Sequence, residues 1–300
     1  MRELSCFGDS SVGIAAAAAC DSGRGALDRS LKAATTTVYC AALPSGKELF
    51  VRVTWTRSAS GAAGLAVGFD EALSPSSRCA QAAQHVLQRK HGSRSLVTAA
   101  GTAVGVHWDT AEASYASGSD SSPEPSGEYY LAIVADDELA LLLGAGDTAR
   151  DISRRFGGAA PRCDLLSRRE QRRGAAVAHT TRCRFREGGR EHEVAVQACR
   201  GGEGEVRVSI DGKMVVEVRR VGWGFRGNRA AVVADGEVVD VMWDVHDWWF
   251  GRGSGGAGAQ FMVRAREEKE GRLWMADADQ PAARGLSPGG FFLHVQCYRR

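Results

Sequence analysis

The chain holds a single asparagine, Asn228, and five lysines in 300 residues. It has seven prolines, and none of its eight cysteines forms a Cys-x-x-Cys pair. Each scarcity excludes something. The lone asparagine is not followed by x-Ser/Thr, so there is no N-glycosylation acceptor. Without paired cysteines or histidines at finger spacing, no structural zinc site is expected. The run Val12–Cys20 is too short to span a bilayer, and the polar stretch after Arg2 and Glu3 is unlike a secretory signal. The net charge of +2 gives no global field toward nucleic acid or membrane. No nucleophile elbow, His-Glu-x-x-His or Walker loop occurs. The expectation is an intracellular protein, cytoplasmic with the nucleus also open, with reduced thiols, no membrane span, no metal and no cofactor.

Arginine outnumbers lysine thirty-three to five, and alanine and glycine are plentiful. Such a bias makes each arginine cluster less informative. The densest signal is Gly222–Phe250, GWGFRGNRAAVVADGEVVDVMWDVHDWWF. Asp235-Gly236 between β-prone runs predicts a two-residue hairpin turn. Val239, Val241 and Trp243 share one strand face. The rings that follow suit either a core or a pocket lining, and periodicity leaves both open.

A fainter copy lies upstream. Gly92–Asp109 aligns without a gap on Gly227–Asp244, and half of the eighteen positions are identical, Arg94/Arg229, Trp108/Trp243 and Asp109/Asp244 among them. Gly46–Val53 matches Gly189–Val196 more weakly. The reading is an internal duplication into two related halves, roughly 35–150 and 160–300.

Regular turn signals without amphipathic helices predict an antiparallel all-β protein, sandwich-like or barrel-like. Residues 1–34, rich in alanine, serine and glycine, read as a flexible segment before a β-rich domain at 35–300. Strands are expected at Thr35–Ala42, Leu49–Trp55 and Leu65–Phe69. Arg78–His91 leans to strand, and Ala113–Glu128 reads as a solvated loop. Tyr129–Gly144 reads as two strands joined at Asp136-Asp137, buried on both faces and central to the first half. Asp147–Pro161 is a short helix or a loop. Further strands are Cys163–Glu170 and Ala175–Phe185, joined by Gln171–Gly174, then His192–Cys199. Val206, Val208 and Ile210 run out, Asp211-Gly212 turns, and Met214, Val216 and Val218 run back. Gln260–Ala265 and Gly290–Tyr298 close the chain.

In order, MRELSCFG, TTTVYCAAL, YYLAIVADDELALLLG, LLSRREQ, SIDGKMVVEVRRVGWGFRGN, VVDVMWDVHDWWFG and GFFLHVQCY resemble a family of uncharacterised plant proteins, domain of unknown function 868. The resemblance implies a plant origin and one family domain over nearly the full length, and it implies no activity. Where family members carry an aromatic-rich strand, Arg78–His91 has no aromatic besides two histidines, so a site lined by that strand would be degraded here.

Each candidate site has a plain structural alternative. Gly222–Gly227 and Gly251–Gly256 match G-x-G-x-x-G, but a dinucleotide loop needs a following helix and a parallel sheet, so turns explain these glycines better. Asp244 and His246 stand two apart and could share a proton or a metal, yet a third ligand is missing. The alternative is that Asp244 and Asp247 turn the chain, with His246 hydrogen-bonded nearby. Asn228 suits a left-handed turn, and Arg226 could present its fork to an acidic ligand. Arg150–Arg173 holds eight arginines against three acids, but without a stacking platform nucleic acid is a poor fit. Cys183 and Cys199 read as buried thiols.

The expectation is a non-enzymatic binding or interaction module, contacting a protein partner or small ligand through Arg226, Asn228, Asp244, His246, Trp248 and Trp249, because clustered rings and arginine are typical of recognition surfaces. A small-ligand or lipid carrier with an inter-sheet pocket is the alternative. An enzyme centred on Asp244 and His246 ranks third.

Overall fold

A computed structural model describes residues 31–43, 45–58, 60–70, 84–115, 122–144, 146–156, 162–174, 178–251, 258–266 and 290–298. Among them the chain is all-β, in three sheets. Strands β1 (Leu31–Ala42), β2 (Glu48–Ser58), β3 (Ala63–Asp70) and β4 (His85–Leu87) form an antiparallel run. Next come β5 (His91–Val97), β6 (Ala103–Asp109), β7 (Tyr130–Ala135) and β8 (Glu138–Gly144), a separate four-stranded sheet. Helix α1 (Asp147–Arg155) and the long β9 (Cys163–Gly174) follow. β10 (Ala178–Cys183), β11 (His192–Cys199), β12 (Glu205–Ile210) and β13 (Lys213–Val218) make a second four-stranded sheet. After helix α2 (Val221–Gly224) come β14 (Arg226–Val232) and β15 (Val238–Asp244), then helix α3 (His246–Phe250), β16 (Gly258–Ala265) and β17 (Phe291–Tyr298). β17 pairs in parallel with β9, which pairs with β1, so nine strands join in the order β14-β15-β16-β17-β9-β1-β2-β3-β4.

The alternating residues pack as their period demands. Val51, Val53 and Trp55 of β2 meet Val104, Val106 and Trp108 of β6 and Leu131 and Ile133 of β7 in one cluster. Val194 and Val196 of β11 and Val206, Val208 and Ile210 of β12 meet Val239, Val241 and Trp243 of β15 in another. Each fully buried valine contributes roughly 1.5–3 kcal/mol of transfer free energy. β7 is buried on both faces as its continuous run predicts: Ala132 and Val134 pack with Leu139 against Ile152 and Phe156.

The hairpins β5–β6 and β14–β15 correspond at a constant offset of 135 residues, from Gly92 to Gly227 and from Trp108 to Trp243. Trp108 Nε1 donates to the Arg89 carbonyl at 2.8 Å, and Trp243 Nε1 to the Gly224 carbonyl at 2.9 Å. The Asp109 carboxylate accepts the Ala111 N–H at 2.8 Å, and Asp244 the His246 N–H at 3.0 Å. Thr110 N–H reaches the Lys90 carbonyl at 2.7 Å, and Val245 N–H the Phe225 carbonyl at 2.8 Å. Gly92 and Gly227 each lie under the tryptophan ring of the next strand.

Several expectations are corrected. Ala33 and Ala34, placed in the flexible segment, are buried in β1, where small side chains fit opposite Arg172 and Gln171 of β9. The Asp235-Gly236 turn has three residues: Gly236 N–H bonds the Val233 carbonyl at 3.0 Å, and only Gly236 has positive φ, +86°. Asp136-Asp137 and Asp211-Gly212 do turn in two residues, all four at positive φ. Gln171–Gly174 is strand and not turn, because Gln171 and Arg172 are buried between neighbouring strands. Met214 points outward, since a bulge beside Val208 and Ser209 puts Val215 in the core. The 113–128 loop is not simply solvated: Pro123 and Pro125 are buried. Cys183 is buried, but Cys199 is exposed. Arg78–His91 is described from residue 84, with a strand at His85–Leu87.

Candidate functional site

One surface is built by α2, α3 and the start of β14. Val221 is fully buried, and its N–H bonds the Glu203 carbonyl at 3.0 Å, anchoring α2. A Cβ on Gly224 would stand 2.7 Å from Val218, so only glycine lets α2 lie this close to β13. Held this way, α2 turns Trp223 out to solvent at 91% exposure. The Phe225, His246 and Phe250 rings contact one another, with centroids 5.2–5.5 Å apart.

Asp244 ends β15. Its Oδ1 accepts the His246 N–H at 3.0 Å, and its Oδ2 accepts Arg226 Nε at 2.8 Å. Arg226 also lies over the Phe225 ring, 5.6 Å from its centroid. The His246 ring reaches Asp247 Oδ1 through Nδ1 at 2.9 Å. Asp244 therefore spends its oxygens on Arg226 and a backbone N–H, and His246 turns to Asp247.

Of the six residues expected at the surface, Arg226, Asp244 and His246 form one connected chain. Asn228 is exposed on the same strand but sits mid-strand opposite Met242, without the positive φ of a turn. Trp248 is core, only 1% exposed. Trp249 is half-buried. Arg200 lies 5.7 Å from both the Trp248 and Trp249 ring centroids, and its Nη2 donates to the Trp249 carbonyl at 2.5 Å. The sequence reading missed Trp223. Its flanking glycines, Gly-Trp-Gly, were the available signal: they leave a large ring without neighbours along the chain.

A second cluster also went unread. His192 is buried against Phe185, with ring centroids 5.5 Å apart. Its Nδ1 meets Asp211 Oδ2 at 2.8 Å, and its Nε2 lies 3.3 Å from Asp235 Oδ2. Arg186 pairs with Glu237 at 3.1 Å on the rim. Burial alone would push the Asp211 and Asp235 carboxyls up. Hydrogen bonds from His192 and from the Glu193 and Glu237 backbone outweigh it and hold both below the ordinary value. The imidazole is closed off from solvent, so the triad clamps two hairpin turns together and presents nothing to a substrate.

The sequence model of a family described as plant proteins of unknown function, DUF868, matches residues 30–289. The chain belongs to this family. Two pieces of the resemblance, the MRELSCFG start and the closing GFFLHVQCY, lie outside the matched span. No curated protein and no solved structure matches the chain. In this family member Gly222–Gly227 leads into strand β14, so the helix a dinucleotide loop requires is missing there. Gly251–Gly256 lies, apart from Gly251, outside the described residues. Arg150–Arg173 is divided between α1, whose arginines are exposed, and β9, where Arg168 pairs with Glu124 at 2.8 Å. Among the described residues, no group of three or more His, Cys, Asp or Glu is placed to hold a metal ion. No described helix is long and apolar enough to cross a membrane.

Proposed function

We propose that the chain is a non-enzymatic binding module of two related halves, working inside the cell, and that it meets a protein partner through the α2–α3 end of its second half. The observation that carries this is Trp223, a large ring held almost wholly in water by a rigid glycine-flanked turn. An exposed tryptophan two residues before Phe225, whose ring meets half-exposed Phe250 and Arg226, has the composition of an interface hot spot. Trp243 and Trp248 are buried in the same core cluster as Val221, and Trp243 Nε1 donates to the Gly224 carbonyl of α2. The enzyme reading is disfavoured because the Asp244 carboxylate is already committed to Arg226 and the His246 backbone. The corresponding hydrogen bonds of the two hairpins support the relatedness of the halves. The free thiols of the described cysteines fit a reducing compartment.

The test compares partners recovered from plant tissue with wild-type chain and with Trp223→Ala. The expected result is the selective loss of one partner at unchanged thermal stability. If a triple Trp223→Ala, Phe250→Ala, Arg226→Ala chain recovers the same partners as wild type, this surface is not the contact.

A further inference from the structure

Between the two apolar cores, one face of the nine-stranded sheet carries a polar stripe. In register, Thr35 of β1 lies between Trp55 of β2 and Glu170 of β9, and Thr37 lies between Val53 and Arg168. Directly paired residues share a face, so both hydroxyls lie on the side of the β9 charges. Those charges form a ladder. Glu124 Oε2 accepts Arg168 at 2.8 Å, Arg168 Nε donates to Glu170 Oε1 at 3.1 Å, and Glu170 Oε2 accepts Arg172 at 3.3 Å. Arg172 Nε then donates to Thr181 Oγ1 of β10 at 3.1 Å. The ladder thus runs from the loop before β7 to the sheet of the second half, with two guanidinium groups balanced by two carboxylates. Tyr129 is pushed up to about 12, Tyr39 lies further above its usual range and Cys183 is raised too, each chiefly by burial, so these neighbours add no charge at neutral pH.

Thr35 and Thr37 are 0% and 1% exposed, and neither hydroxyl has a hydrogen-bond partner among the described residues. On the opposite face Thr36 and Thr54 bond each other at 3.1 Å. A buried hydroxyl left unpaired is costly, and a polar site is where a small molecule repays that cost. We infer that the stripe is a binding slot for a small uncharged hydrogen-bonding molecule, water or a polyol hydroxyl, taken by Thr35 and Thr37. An ion is disfavoured, because the ladder is already neutral and an added charge would be buried uncompensated.

The swap of Thr to Val keeps the shape and puts a methyl in place of the hydroxyl. For a filled slot, Thr35→Val and Thr37→Val each lower the melting temperature, by about 1–2 °C for a chain of 300 residues. A melting temperature that is unchanged or raised overturns the inference, since removing a dry, unpaired hydroxyl relieves the protein. Thr35→Ser keeps the hydroxyl and guards against a valine variant that fails to fold: it must unfold above Thr35→Val, and the reverse order overturns the inference. Glycerol then names the occupant. Stabilisation of wild type beyond that of the double valine chain identifies a polyol hydroxyl, and equal stabilisation identifies water.

Discussion

The hairpins Gly92–Asp109 and Gly227–Asp244 share register, tryptophan anchor and aspartate-closed turn, and they part immediately after the aspartate. The first continues into the loop that brings Tyr129 edge-on to Trp55, ring centroids 5.4 Å apart. The second turns into α3, sending Trp248 into the core and Phe250 to the surface, 48% exposed. Opposite the aspartate, the first hairpin has His91 where the second has Arg226. A similar hairpin is thus followed by a loop in one place and by a ring-bearing helix in the other, and the difference rests on a few residues after the aspartate.

The comparison can be broken most forcefully at Trp248, which has no counterpart in the first hairpin. Trp248→Ala removes a fully buried ring and is expected to cost about 3–5 kcal/mol in chemical denaturation. A much smaller loss would mean that α3 does not complete the core. The paired glycines come next. A Cβ on Gly227 would stand 2.3 Å from the Trp243 ring, while one on Gly92 would stand 3.2 Å from Trp108. Gly227→Ala should cost roughly 1–3 kcal/mol as an overpacked site. At Gly92 the ring clash is milder, but its φ of +158° is one a side chain rarely adopts, so Gly92→Ala should be destabilising as well. An unchanged denaturation midpoint in Gly227→Ala would show that the Trp243 ring yields.

Acid should test the His192 clamp as well. Asp211 and Asp235 titrate below the ordinary carboxylate value when folded. Their contribution is complete above that value and is lost as pH falls through the folded one. Unfolding midpoints followed downward from neutral pH should fall less steeply in Asp211→Asn, Asp235→Asn, and an unaltered slope would remove the His192 clamp from the account. Asp109→Ala and Asp244→Ala should differ by less than about 1 kcal/mol, because the Arg226 ion pair that distinguishes them is half-exposed. A double-mutant cycle with Arg226→Ala checks this. Smallest of all, Trp223→Ala should leave stability within about 0.5 kcal/mol of wild type.

Much of the frame could be read along the chain. Val206, Val208 and Ile210, or Val239, Val241 and Trp243, alternate because one face of each strand meets a core and the other does not. The β9 run Gln171–Gly174 reads as a turn because it is polar, yet its Arg172 is satisfied by Thr181 of the next strand and by Glu170. His192 passed unnoticed for the same reason, since its partners come from two separate turns. At the candidate surface, Arg226, Asp244 and His246 were legible as neighbours. The glycines flanking Trp223 hinted at an exposed ring, whereas nothing local to Trp248 and Trp249 says which of the two is buried.

The sequence by itself determined the strands, most of their turns, the matched hairpins and the family, because alternation, turn chemistry and motif order are local properties. Only the tertiary structure decided that β17 and β9 weld the strands into one nine-stranded sheet, that Trp248 goes in while Trp223 stays out, and that a charge ladder lies between the cores. Burial and charge pairing depend on which distant segments meet, and that is fixed by packing the whole chain at once.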